Sequence, residues 1–147
     1  NGENRLLEYI NLLKKNKARF ISTQMKHIER VYTSQSLFDY FKLDINSDIA
    51  TSGQYMAKIL IMEKSALEII NKCIDVINND KYLITDKYNN INRNKYFHDN
   101  RHDQSILSII RKMYNTIIIP EDGKTSGTFF FNWGCEAARK EPFLSTR

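Results

Sequence analysis

Apolar positions recur along this chain at helical and strand spacings, and the alternation between the two sets the expected elements. Leu6, Ile10 and Leu13 fall on one face at the helical period and predict a first helix from about Glu3 to Lys15. Ala18 to Gln24, apolar at Phe20 and Ile21, reads as a short strand. Thr33 or Ser34 can cap a second helix through Phe41 that buries Leu37, Phe38 and Phe41. Asp44 to Gln54 is polar, with Gly53 its one glycine, and reads as a loop. Tyr55 to Met62, with Ile59-Leu60-Ile61 unbroken, reads as a strand buried on both faces. Ser65-Ala66-Leu67-Glu68 is a capping box, Ser65 accepting from the Glu68 N–H and Glu68 reaching back. It opens a helix to about Asn79 with Leu67, Ile70, Ile74 and Ile77 as the buried stripe. Asp86 to Asn100, dominated by Asn, Lys and Tyr, reads as a long polar loop. A last helix over about Asp103 to Tyr114 turns Ile106, Leu107, Ile110 and Met113 inward. Thr116 to Ile119 is β-rich and ends at Pro120, and the tail from Lys124 is irregular.

Helices alternating with short buried strands argue for an α/β architecture, a sheet flanked by helices. Three or four strands are visible where a covered sheet usually has about five or six. The missing strands are expected upstream of Asn1, so residues 1–147 read as one domain, the carboxy-terminal part of a larger one.

Composition narrows this picture. A chain of 147 residues, 41% hydrophobic and 27% charged, suits one soluble globular domain. It can bury roughly two-thirds of its unfolded surface. No apolar run approaches the roughly 18 residues of a membrane span. The opening Asn1-Gly2-Glu3 carries neither a secretory signal nor an initiator methionine and reads as cut from something longer. No Asn-x-Ser/Thr acceptor occurs, which leans towards a cytoplasmic chain. The net charge of +5 is spread out, with Lys14-Lys15-Asn16-Lys17 as its local cluster at a helix end. That suits an anionic ligand and lacks the stripe or tail of a nucleic-acid footprint. Cys73 falls in a helical apolar pattern and reads as a small core residue; a disulfide with Cys135 stays open.

The densest polar cluster is His98-Asp99-Asn100-Arg101-His102-Asp103-Gln104, directly before an apolar helix. Helix starts present free N–H groups and a partial positive charge. Arg101 adds a planar fork for phosphate or carboxylate. Asp103 can act as base, hydroxyl acceptor or helix cap, and Gln104 can both donate and accept towards sugar hydroxyls. Together they suit a polyhydroxylated, partly anionic ligand, with capping of the helix as the plain alternative. His98 and His102 are four apart, a spacing that would set two imidazoles on one helical face, but no third ligand is indicated and no metal site is assigned. Thr51-Ser52-Gly53-Gln54 is a second constellation, a small-residue turn that would let backbone approach a ligand closely, or simply a turn. The chain has no Gly-rich phosphate loop, nucleophile elbow or zinc-finger spacing.

The order of these features, a Ser-Gly turn into a strand, a helix, a loop, the "HDQSIL" helix and a strand ending in Pro, resembles the GT-A-type glycosyltransferases. More narrowly, Arg101 to Ile109 and Pro142-Phe143-Leu144-Ser145-Thr146-Arg147 are similar to a family of sugar-transferase-like proteins of bacteria and giant viruses that carry "RHDQSI" and end near "PF-x-x-TR". The resemblance implies a partial nucleotide-diphospho-sugar transferase fold with a mixed sheet. It implies transfer of a sugar from a nucleotide-sugar donor to a hydroxyl acceptor on a glycan or protein. By position, Ser52, Gly53 and Gln54 would line the sugar or acceptor site, with Arg101 and His102 also in contact with substrate. Asp103 would be the catalytic carboxylate, contacting donor sugar or acceptor hydroxyl together with Gln104. A divalent cation, Mn or Mg, would support the leaving diphosphate, its acidic ligands lying mostly before Asn1. A catalytically silent relative that kept the sugar-binding scaffold is the other reading the resemblance allows.

Overall fold

Helical and strand periods alternate in space as they do in sequence. The computed structural model describes residues 2–57 and 60–120, with side chains described for 7–57 and 60–118. Helix α1 (Gly2–Asn16) leads into strand β1 (Phe20–Ile28). Two short helices, α2 (Gln35–Tyr40) and α3 (Asp48–Thr51), precede strands β2 (Gly53–Tyr55) and β3 (Ile61–Met62). Helix α4 (Leu67–Asn79), helix α5 (Asp103–Lys112) and strand β4 (Thr116–Pro120) follow. These elements make a mixed α/β unit, a small mixed sheet flanked by helices. None of the described helices is long and apolar enough to cross a membrane.

Strand β1 is the spine of the sheet. β4 runs parallel to it, Phe20 opposite Thr116 through Gln24 opposite Pro120. β2 and β3 pair with it antiparallel, Gln24 opposite Tyr55 and Phe20 opposite Met62. A strand has two hydrogen-bonding edges. Phe20 and Gln24 already have β4 on one of them, so β2 and β3 share the other. Alternate β1 residues point to opposite faces. Ile21 packs with Tyr9, Leu13 and Ala18 on the α1 side, with Ile61 and Ile117 against them. Phe20 enters the larger core with Leu37, Phe38, Ile69, Val76, Ile106, Ile109 and Ile110. Cys73 packs against that larger core, half-buried, and burial pushes its thiol up to about 11.

Several expectations change. The strand expected over Tyr55 to Met62 is two short pieces on one edge, and Leu60 and Ile61 are not buried. The reason is that the outward edge at Tyr55 meets a helix instead of another strand. The Tyr55 N–H donates to the Ser108 hydroxyl at 2.8 Å, and the Tyr55 and Met56 carbonyls accept from Arg111 Nη2 at 3.1 and 2.9 Å. Side chains of α5 thus cover an edge that would otherwise present unpaired backbone. The capping box does not form either. Ser65 lies in a 3₁₀ turn (Lys64–Ala66) whose cap is Glu63, and Ala66 stands at the α4 cap position. This early turn rotates the next helix. Ile69 and Val76 are its buried residues, whereas Leu67 and Ile74 are 52% and 54% exposed.

Smaller departures follow the same logic of tertiary partners. The expected Asp44–Gln54 loop contains α3, capped by Ser47, whose hydroxyl accepts from the Ala50 N–H at 3.4 Å. Ser34 stands at the α2 cap position without a side-chain cap bond, and Thr33 turns its hydroxyl to Glu29. In α5, Ile109 takes the buried place expected of Met113, which is 49% exposed. The side chains of Leu6, Ile59 and Ile119, and the chain from residue 121, on which the expected irregular tail, Cys135 and the Pro142–Arg147 word fall, lie outside the described residues.

Gly53 decides how closely β2 approaches β1. A Cβ there would lie 1.8 Å from the Met25 carbonyl oxygen. Gly53→Ala is expected to cost about 2–3 kcal/mol by overpacking, read as a lower urea midpoint with an unchanged denaturant slope. The Glu63 cap carries a pH dependence. The Ser65 hydroxyl is the main cause that holds the Glu63 carboxyl below its ordinary 4.5; the slight burial opposes this, and the Ser65 N–H and Arg19 add to it. A depressed carboxyl contributes stability that is present above pH 4.5 and lost as pH falls through the lower folded value. Glu63→Gln is expected to flatten that acid limb in thermal melts recorded against pH; an unchanged limb would show that the cap adds nothing.

Candidate functional site

Helix α5 carries two interleaved stripes. Ile106, Ile109 and Ile110 enter the core, while Ser105, Ser108 and Arg111, three apart, are fully buried as polar residues. Lys112 joins them, its side chain 4% exposed. A buried polar stripe demands partners. They come from Glu29, in the 3₁₀ turn after β1, and from Thr33 and Gln54, all completely buried. Glu29 Oε1 accepts from Thr33 Oγ1 at 2.8 Å and Gln54 Nε2 at 2.9 Å. Glu29 Oε2 accepts from the Ser108 hydroxyl and pairs with Lys112 Nζ at 2.8 Å. Burial pulls the Lys112 ammonium below its usual range, opposed by the Glu29 carboxylate. Arg111 is solvated by oxygens of its own chain, through Nε to Leu107, Nη1 to Ser22 Oγ and Nη2 to Tyr55 and Met56. Burial brings it down to about 10, still high enough to keep it a guanidinium at neutral pH.

This network reaches the surface at the start of α5. Gln54 Oε1 accepts from Gln104 Nε2 at 2.8 Å, and the Ser105 hydroxyl donates to the Tyr32 carbonyl at 2.7 Å. In front of Gln104 lies an open pocket of about 430 Å³, lined by Ala57, Asp99, Asn100, Arg101, His102, Asp103 and Gln104. Its loop wall is stitched to the turn after β1. The Val31 carbonyl accepts from the His98 and Asp99 N–H groups at 2.8 and 3.4 Å, and the Tyr32 carbonyl accepts from the Arg101 N–H at 3.1 Å. The Arg101 guanidinium lies 4.9 Å from the Tyr32 ring centroid. His102, which precedes the helix, is held at φ 53°, ψ −120°. That conformation is costly for a residue with a Cβ. Its Nε2 lies 2.8 Å from Asp86 Oδ1, tying the helix start to the long loop.

The residues singled out in the sequence are placed as follows. Arg101, His102, Asp103 and Gln104 share one pocket wall. Gln54 lies buried behind that wall. Ser52 and Gly53 are not among the lining residues. The Ser52 hydroxyl donates to the Ile49 carbonyl at 3.1 Å, and the backbone that Gly53 admits is that of β1. His98 precedes the helix, so it and His102 do not share a helical face. Among the described residues no group of three or more His, Cys, Asp or Glu side chains is placed to hold a metal ion. The sequence reading missed Glu29, Thr33, Ser105, Ser108, Arg111 and Lys112. Three- and four-residue spacing sets Ser105, Ser108, Arg111 and Lys112 on one side of an apolar helix, but nothing local to Glu29 or Thr33 marks them as the partners that bury it.

The Glu29–Lys112 pair is expected to behave as a coupled unit. Removing one partner leaves a buried charge uncompensated, so Glu29→Leu and Lys112→Met should each cost about 3–5 kcal/mol. The double variant should lose clearly less than the sum, by urea denaturation in a double-mutant cycle. Additive losses would show that the two charges do not depend on each other.

Set against known proteins, the chain matches no family model, no curated protein and no solved structure.

Proposed function

We propose that this chain is part of a glycosyltransferase of the GT-A type, moving a sugar from a nucleotide-sugar donor to a hydroxyl acceptor. The observation that carries the reading is the pocket at the start of α5. Two carboxylates, two amides, a guanidinium and an imidazole converge there, on a helix turn held from behind by a buried network. Planar groups that both donate and accept are the chemistry that reads hydroxyls. Rigid support of the first turn holds them in place before a ligand arrives.

In this reading Asp103 is the catalytic carboxylate. It stands exposed at the first helical position of α5, where it can accept the proton of an attacking acceptor hydroxyl. Gln104, fixed by Gln54, orients a sugar hydroxyl, with His102 beside it, and Arg101 at the rim meets the charged part of the donor. Ser52 and Gly53 act at one remove, by placing Gln54. A divalent cation would stabilise the leaving diphosphate, held by residues other than those described.

Asp103→Asn is the direct test, assayed for transfer and donor hydrolysis on a panel of nucleotide sugars with Mn or Mg present. Loss of a positioned base is expected to lower kcat by about 10²–10⁴-fold with little change in KM. Equal turnover by the native and substituted chains would remove Asp103 from the chemistry. Sugar binding without turnover on any donor would leave a sugar-binding module in place of an enzyme.

A further inference from the structure

We infer that the surface beside this pocket is a phosphate-binding site, in which His27, His98 and Arg101, gathered around the Tyr32 ring, hold a doubly charged phosphate group. The inference goes beyond the sugar-transfer reading. It shares Arg101 with the pocket wall, but His27, Tyr32 and His98 are not among the lining residues. It begins from basic groups converging on one ring. The Tyr32 and His27 ring centroids are 5.0 Å apart, edge to face, and those of Tyr32 and His98 are 6.0 Å apart. The Arg101 guanidinium lies 4.9 Å from the same Tyr32 centroid. His27 comes from β1, Tyr32 from the turn after it, and His98 and Arg101 from the segment that leads into α5. The His98 N–H bond to the Val31 carbonyl and the Arg101 N–H bond to the Tyr32 carbonyl hold that segment against the turn.

What sets this group apart is the missing acid. His27, His98 and Arg101 are exposed, and among the described residues their side chains and that of Tyr32 make no hydrogen bond and no ion pair. His102 is the contrast within the chain, its Nε2 held 2.8 Å from Asp86 Oδ1. The other charges close by are Lys26, next to His27, and the carboxylates of Asp99 and Asp103. Asp99 is turned to Asn89, whose Nδ2 lies 3.5 Å from its Oδ1. Basic groups around one ring repel each other once the imidazoles are protonated. An anion between them removes that repulsion and meets donors from all three, the guanidinium fork and two N–H groups on each imidazolium. Several oxygens and a double charge answer that set better than a single carboxylate does. Binding is tied to protons, because histidine is the side chain that changes charge between about pH 5 and 8.

The test uses the full chain, isotope-labelled for NMR and titrated at neutral pH with inorganic phosphate and with a hexose phosphate. The His27 and His98 ring signals and the Arg101 Nε–H are expected to shift with both, more than the His102 ring and the Lys14–Lys17 cluster do. Arg101→Gln should weaken inorganic phosphate about tenfold, the order of one charge-assisted hydrogen bond. Sulfate keeps both charges across the histidine range, so its affinity reports protons on the protein. It should bind about fivefold more tightly at about pH 5.5 than at about pH 8, and the double variant His27→Gln, His98→Gln should abolish that difference. These side chains are exposed and unbonded, so the neutral substitutions leave the fold intact. A hexose phosphate that binds more tightly than inorganic phosphate marks a ligand whose organic part enters the pocket, whereas equal affinity marks a site that reads the phosphate alone. Shifts no larger than those at Lys14–Lys17, or a sulfate pH dependence that persists in the double variant, would overturn the site. Sugar transfer by a chain whose Tyr32 cluster ignores phosphate sinks this site and spares the transferase, whereas phosphate binding there without transfer does the reverse.

Discussion

A carboxylate with no solvent exposure constrains this structure more than any other single group. Glu29 is completely buried, and its two oxygens collect bonds from Thr33, Gln54, Ser108 and Lys112. Those residues belong to the turn after β1, to β2 and to α5. Burying a charge is tolerable only when hydrogen bonds and an opposite charge replace the lost water. All three segments must therefore arrive in one register. A one-residue rotation of α5 would bring apolar groups against the carboxylate and strand the Lys112 ammonium. The hydrophobic stripe of α5 fixes roughly which side faces the sheet, and the ion pair fixes the register.

That order is transmitted outward to the pocket. Arg111 closes the free edge of β2 through the Tyr55 and Met56 carbonyls. Gln54, in the same strand, donates to Glu29 and accepts from Gln104. Ser105 joins the first turn of α5 to the Tyr32 carbonyl, and the long loop is pinned to Arg30, Val31 and Tyr32 by Asn94, His98 and Arg101. Such over-determination lets His102 persist with a positive φ, a local cost carried by the surrounding structure. The side chains at the mouth are thereby held on a rigid turn, while their tips stay open to solvent.

Part of the site was legible because a helix start announces itself in sequence. Polar residues of several kinds stood before an apolar repeat, and the structure gathers Arg101 to Gln104 into one pocket wall. The link between Gln54 and Gln104 was not legible, because the two are fifty residues apart and nothing local records their meeting.

By itself the sequence determined the element types that local periodicity encodes: the first helix, the strand at Phe20, the helix from Asp103 and the β-rich run that ends at Pro120. Period and propensity act within a few residues, so they can be read along the chain. Tertiary structure alone decided which strand is central, which α4 residues face inward, where its cap falls and which polar residues are buried. Each of those depends on a partner brought in from a distant segment. The apolar run at Tyr55 to Met62 became an interrupted edge because α5 supplied its outer hydrogen bonds, and Ser108, Arg111 and Lys112 became interior because Glu29, Ser22 and the backbone of β2 were there to receive them.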